Sequence, residues 1–344
     1  MQTPEPCGPL SRLVVSHLRA GHGATVTSRG VAQLRRLVDQ AGDPLHDRDL
    51  QLALACCYEL HYGGFDDVAD DLEWDPTTLA LAGLLERALE AGLRAAVGHE
   101  GIAGVEPAEV PARLRSLVDQ DAEADAGPSL SAFLLRDAED RHFREFLAQR
   151  SVYHLKEADP HTWVIPRLRG RAKAALVEIQ ADEYGGGRPA AMHASLFAAT
   201  MRALGLDDSY GAYWADATAE TFASVNVMTL FGLHRRLRGA ALGHLAALEM
   251  TSTLPNRRYG NGLRRLGHDV TATAYFDEHV EADAVHEQVA SVDLCGSFAR
   301  AEPALAGDVL WGAACCLTVD RLAGTALLSA WSRGTTADPV GEVA

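Results

Sequence analysis

An all-α helical bundle is the fold class this sequence predicts, and three observations predict it. Alanine and leucine dominate the apolar residues, and β-branched runs are short. Apolar positions recur at spacings of three and four in segment after segment. No strand–turn–strand signal interrupts the pattern. In chain order the helical segments are LALACCYELHYGGF at 52–65, TTLALAGLLERALEAGLRAAV at 77–97 and LSAFLLRDAEDRHFREFLAQRSVYHLKEA at 130–158. They continue with RAKAALVEIQADEY at 171–184, HASLFAATMRALGL at 193–206, LRGAALGHLAALEMTST at 237–253 and ATAYFDEHVEADAVHEQVA at 272–290. A boundary is expected near 100–128, where Gly101, Gly104, Pro107 and Pro111 precede the small acidic stretch DAEADAGPS. It divides the chain into an N-terminal helical module, 1–120, and a second bundle, 128–333; the closing GTTADPVGEVA is expected to fray.

Composition narrows the function classes. The 344 residues are 47% hydrophobic and 23% charged, ordinary for a globular protein with a sizeable core. The 31 Lys and Arg against 47 Asp and Glu give a net charge of −16, which repels phosphates and argues against nucleic acid or an anionic membrane face as partner. No apolar run approaches the roughly 18 residues that span a bilayer. Glu5 and Pro6, with no basic region ahead of an apolar core, argue against a signal peptide. The six cysteines show neither zinc nor disulfide spacing, and the pairs Cys56–Cys57 and Cys315–Cys316 read as small core residues. A cytoplasmic location is expected.

Most of the 14 histidines stand in polar or loop contexts; one helix differs. Within 272–290, Asp283 lies about 40° round the helix from His279 and His286 about −20°, so three metal-competent side chains share one narrow face. Glu281 lies about 200° round and points away. Two histidines and an aspartate flanked by Ala282, Ala284 and Val289 are costly to bury without a partner, although a charged solvated face has the same composition. A bundle metal centre needs carboxylates from facing helices. Glu249, among Leu245, Ala246, Ala247, Leu248 and Met250, is the foremost candidate. Glu183, beside Asp182, ends an apolar helix; the triple glycine 185–187 breaks it, and His193 opens the next. Glu157 closes an earlier helix before Pro160.

Taken together, VEIQADEYGGGRPAAMHASLFAATMRALGLD, FGLHRRLRGAALGHLAALEMTSTLPNRRYGNGLRRLG and FDEHVEADAVHEQVA resemble the iron-containing redox enzymes of the heme-oxygenase-like diiron oxidase and oxygenase superfamily, with its N-oxygenating members as the nearest likeness. The resemblance covers roughly residues 128–333. It implies a heme-oxygenase-like bundle and a two-iron site made by Glu157, Glu183, His193, Glu249, His279, Asp283 and His286, separated by 25, nine, 55, 29, three and two residues. One departure is Ala190, where some members carry a further carboxylate. The charges are consistent: four carboxylates balance two Fe²⁺, and imidazole with carboxylate suits non-heme iron. The resemblance further implies O₂ as co-substrate and dimerisation through the N-terminal module, giving a homodimer.

Other readings fit less well. A ferritin-like centre needs two Glu-x-x-His motifs, and Glu139–His142 is the single copy. HExxH is absent, which argues against a zinc hydrolase. A heme site needs an axial histidine and leaves the diiron-type ligands unexplained. His154 and His161 flank Glu157 at helical spacing and suit stacking or supporting roles better than ligation. No flavin, nicotinamide or Walker A fingerprint appears, so electrons come from an external donor. The expected activity is O₂-dependent N-oxygenation of a small amine, amidine or guanidine. The alternatives are desaturation or oxidative C–C cleavage of an amino or fatty acid, or non-catalytic iron storage or sensing. Arg235, Arg236, Arg238, Asn256, Arg257, Arg258, Arg264 and Arg265 cluster within 31 residues, either to clamp a substrate carboxylate or as helix-end charge and interdomain salt bridges.

Overall fold

The computed structural model describes residues 1–21, 28–98, 102, 104–124 and 129–334, with backbone alone at 28–29, 123–124 and 282–285. These residues form sixteen α-helices and no strand: α1 (Pro9–Ala20), α2 (Ser28–Gln40), α3 (Arg48–Glu59), α4 (Pro76–Val97), α5 (Val110–Ala124), α6 (Leu130–Arg136), α7 (Asp140–His154), α8 (Asp159–Thr162), α9 (Gly170–Glu183), α10 (His193–Ala203), α11 (Ala219–Leu233), α12 (Arg238–Thr251), α13 (Thr253–Leu266), α14 (Val270–Gln288), α15 (Ser297–Ala301) and α16 (Ala306–Arg333). The all-α expectation holds.

Local chemistry sets the boundaries. Asp47, Asp75, Ser129 and Thr218 cap α3, α4, α6 and α11 by accepting first-turn backbone N–H bonds. Pro76 takes the first position of α4, where its missing N–H costs nothing. Gly267 and Gly334 end α13 and α16 in the left-handed conformation. Glu157, expected to close a helix, lies beyond the end of α7: the helix stops at His154, and a turn carries Lys156 and Glu157 into α8. Ala158, at φ 76°, is the one described non-glycine residue with positive φ. Left-handed alanine costs about 1–3 kcal/mol, and such strain concentrates at functional sites.

One apolar core joins α1–α5 to the later bundle, running from Leu10 and Leu50 through Leu89 and Leu114 to Phe231, Leu245 and Val319. A second core, around Phe143, Phe197, Tyr259, Tyr275 and Phe276, lies between α7, α10, α13 and α14. Helices α12 and α16 pack through glycines: a Cβ on Gly243 would strike the Val309 backbone, and one on Gly312 the Ala240 backbone. The segment Pro303–Arg333 has the length and apolar composition of a membrane-crossing helix, contrary to the expectation that none would. A third of its apolar stretch is buried, Val309, Leu310, Trp311, Ala313, Cys315 and Cys316 among it. Polar links also tie the N-terminal helices to the later bundle at depth: Asn226 on α11 donates to the Gln51 carbonyl at 2.9 Å, and an ion pair reaches it from α3. Glu59, wholly buried on α3, meets the Lys156 ammonium at 3.2 Å and accepts from Tyr210 Oη at 2.7 Å.

Candidate metal centre

Four helices and the turn before α8 bring six of the seven predicted ligands together. After α9, Gly185, Gly186 and Gly187 all take positive φ, a path that side chains resist, and the chain reverses so that His193 returns beside Glu183 as α10 begins. His193 Nδ1 then lies 3.0 Å from Glu183 Oε2. Helix α14 passes alongside with its rings of His279 and Tyr275, and the His279 and His193 ring centroids are 4.4 Å apart. Below His286, α14 loosens into a π-helix over Val289–Gly296, a form that recurs at functional sites.

Two groups of donors result. Donor atoms of Glu157, Glu183, His193 and His279 lie within 4.8 Å of one another, and so do those of Glu183, Glu249 and His286. Glu183 belongs to both. All six residues are buried. The Asp283 side chain lies outside the described residues. Hydrogen bonds aim the rings. His279 Nδ1 donates to the Tyr275 carbonyl at 2.9 Å, which turns Nε2 toward Glu157 Oε1, 3.7 Å away. His286 Nε2 bonds Asp182 Oδ2 at 2.9 Å, leaving Nδ1 at 3.3 Å from Glu249 Oε2. Tyr275 Oη donates to Glu157 Oε1 at 2.8 Å.

The donors fit a cation better than they fit each other. Glu157 Oε2, Glu183 Oε2, His193 Nδ1 and His286 Nδ1 are buried without a hydrogen bond. The short His193–Glu183 approach lacks hydrogen-bond geometry even at 3.0 Å. Buried polar atoms left unpaired cost about 1–3 kcal/mol each, and an ion bound by several of them removes that cost. Burial resists a charge on His286, but Glu249 and Asp182 outweigh it and raise its pKa to about 9, so an entering cation displaces a proton. The set is nitrogen and oxygen with no sulfur, as suits iron.

A cavity opens beside the cluster, lined by Glu157, Glu183, Glu249 and His279 at one side and by apolar side chains such as Val225, Met228 and Leu245 elsewhere. None of the clustered arginines reaches it. Arg236 pairs with Glu90 at 2.6 Å, Arg238 with Glu302, and Arg264 with Asp277, while Arg265 caps carbonyls of Leu135 and Ala138. Asn256 alone of that group lines the cavity. Of the two readings of this cluster, these contacts support charge pairing. His154 stacks on Phe197 with centroids 5.0 Å apart and points Nε2 at Glu157 from 3.7 Å.

The iron-containing redox enzyme family matches residues 144–321, the stretch that carries all seven predicted ligands. The chain belongs to this family. It is also 27% identical over 173 residues to a nitrosourea synthase of Streptomyces achromogenes subsp. streptozoticus, a stretch covering 50% of this chain and 37% of that relative. As an iron-containing redox enzyme, the protein is an oxidoreductase, and its buried histidine–carboxylate cluster is the part of the fold with iron-binding chemistry.

Sequence reasoning placed neither Asp182 nor Tyr275 in a supporting role. Asp182 was legible only as an acid beside Glu183.

The buried histidines give the protein a pH signature. Burial lowers the pKa of His154 and His161 to about 4 and that of His244 well below its usual value. The unfolded chain protonates these rings near pH 6.5, the folded chain only at lower pH, near 4 for His154 and His161, so unfolding takes up protons in between. Stability of the metal-free protein falls as pH drops through that window. The raised values of His286 and His193 favour the fold at low pH and offset part of the loss. The urea midpoint is expected to be lower at about pH 5 than at about pH 7, and a higher one contradicts this account.

Proposed function

We propose that this protein is a non-heme diiron oxygenase that oxidises the nitrogen of a small amine, amidine or guanidine with O₂ and an external reductant. The observation that carries the two-iron reading is the place of Glu183 in both donor groups. Glu157, His193 and His279 would hold one iron, Glu249 and His286 the other, with Glu183 between them and Asp283 added by the motif on α14. Iron bound there would supply electrons and open positions for O₂ reduction. Tyr275 and Asp182 hold Glu157 and His286 in orientation, and the apolar wall keeps water from the reacting nitrogen.

The reaction balances as R–NH₂ + O₂ + 2e⁻ + 2H⁺ → R–NHOH + H₂O. The name of the nitrosourea synthase denotes a product with a nitrogen–oxygen bond, which supports this chemistry. The apolar wall at Val225, Met228 and Leu245 supports the second reading, desaturation or C–C cleavage of an alkyl substrate. Anaerobic Fe(II) loading followed by ¹⁸O₂ and mass spectrometry with candidate amines, amidines and fatty acids decides between them. Label on nitrogen is expected. Loss of two hydrogens or a shortened chain with unlabelled nitrogen establishes the second reading instead. A stable ferric protein without turnover indicates storage.

A further inference from the structure

The cavity holds a second polar feature that the ligand set does not use. His161 on α8 and His244 on α12 face each other with ring centroids 5.4 Å apart, 3% and 2% exposed. His161 Nε2 and His244 Nδ1 are buried with no hydrogen-bond partner. Gln180, one turn before Glu183 on α9, adds a third such atom. Its Nε2 donates to the Ala158 carbonyl at 2.9 Å and to Thr162 Oγ1 at 2.7 Å, which fixes the amide's orientation and leaves Oε1 buried and unpaired. All three residues line the same cavity as Glu157 and Glu249. Neither imidazole belongs to a metal-donor group among the described residues.

Unpaired polar atoms in a core are expensive, and leucine at these positions would avoid the cost. The cavity's chemistry says what they await. Burial keeps both rings neutral, so each carries one N–H and one lone pair, and in the tautomer with the proton on its other nitrogen the unpaired atom is an acceptor without positive charge. Arg150 is the one Lys or Arg among the described lining residues, and Asp320 already holds it at 3.0 Å. An incoming carboxylate would find no free cationic side chain among the described lining residues. A group with several N–H donors would find acceptors.

We propose that His161, His244 and Gln180 form the substrate-anchoring subsite of this cavity, specific for an N–H-rich head group of the amidine or amide kind and selective against a carboxylate. The assignment rests on the cavity being the substrate chamber of the enzyme proposed above. The three residues determine specificity by binding.

Pentanamidine, pentanamide and pentanoate are near-isosteric probes that differ in donors and charge. Binding is measured by calorimetry on the iron-loaded full chain without O₂. Wild type should bind pentanamidine at least tenfold more tightly than pentanoate, with pentanamide between. His161→Leu and His244→Leu should each weaken pentanamidine at least tenfold, with iron content unchanged and Tm equal or higher. His244→Gln, which keeps a polar end and serves if a leucine variant fails to fold, should retain most of the affinity. Equal binding of pentanamidine and pentanoate, or unchanged affinity in the variants, overturns the subsite; iron loss in them overturns it in favour of ligation. The ¹⁸O₂ assay is separate. Labelled nitrogen with unselective binding removes the subsite and leaves the reaction, whereas selective binding lost in the variants without labelled nitrogen keeps the subsite and removes the reaction.

Discussion

Glu249→Ala and His286→Ala are each expected to lower the iron content below two per chain after anaerobic loading. The group that Glu249 and His286 share with Glu183 has three described donors, so losing one leaves too few to hold an ion against water. The two residues also depend on each other. Without Glu249, His286 Nδ1 loses the carboxylate at 3.3 Å and keeps Asp182 alone, on the ring's far nitrogen. Asp182→Asn is the milder case: it alters the hydrogen bond that orients His286, and changes of that kind cost about 10–100-fold in metal affinity. Glu281→Ala is the control, because Glu281 is exposed on the opposite face of α14 and its loss should leave loading near normal. Metal analysis by mass spectrometry checks all four. Full loading of Glu249→Ala or His286→Ala removes that residue from the ligand set.

Glu59→Ala is expected to destabilise the fold by about 3–5 kcal/mol, because it strands a buried ammonium. Glu59 is wholly buried, and besides Lys156 it holds Tyr210 Oη at 2.7 Å and the Gly63 N–H at 3.2 Å. The Lys156 ammonium lies 4.0 Å from the centre of the Tyr62 ring, a cation–π contact that survives the substitution and offsets only part of the loss. Replacing both partners, as Glu59→Leu with Lys156→Met, should recover much of the stability, since a paired apolar replacement leaves no uncompensated charge. Because Lys156 precedes Glu157, the single variant should also lose iron affinity. Urea unfolding measures the first effect, and a change below about 1 kcal/mol would show the pair to be solvated. This contact links α3 to the turn that carries the candidate ligand Glu157.

The helical fold was legible because its signal is local. Spacings of three and four, capping aspartates and terminal glycines each act within a few residues, and the stripe of His279 and His286 follows from helix periodicity alone. Glu249 stood out because an acid among alanine and leucine has no inexpensive place to go. What sequence could not show depends on distance or on backbone detail. Glu59 and Lys156 are 97 residues apart and meet only once α3 packs against the bundle. Ligand clamp and charge pairing were both open for the arginine cluster because sequence shows charge but not partners; Glu90, Glu302 and Asp277 supply partners for Arg236, Arg238 and Arg264. The end of α7 at His154 and the π-helix after Gln288 are choices among similar dihedrals, too subtle for residue pattern. His161 and His244 come together only across α8 and α12, which are 76 residues apart at their nearest ends.

The glycine contacts between α12 and α16 bear on how an ion is received. Where the Gly243 and Gly312 backbones rest directly on the opposing main chain, there is no layer of side chains to shear or re-rotamer. The two helices meet there backbone to backbone. Glu249, two turns along from Gly243, is then a fixed datum against which the rest of the site is measured. Any adjustment that accompanies metal entry falls to the Glu249 side chain itself or to the elements that reach the cluster through turns and glycines, the Glu157 turn and the α9–α10 reversal. The donor cluster is thus built between one wall of close backbone packing and another of turns and glycines.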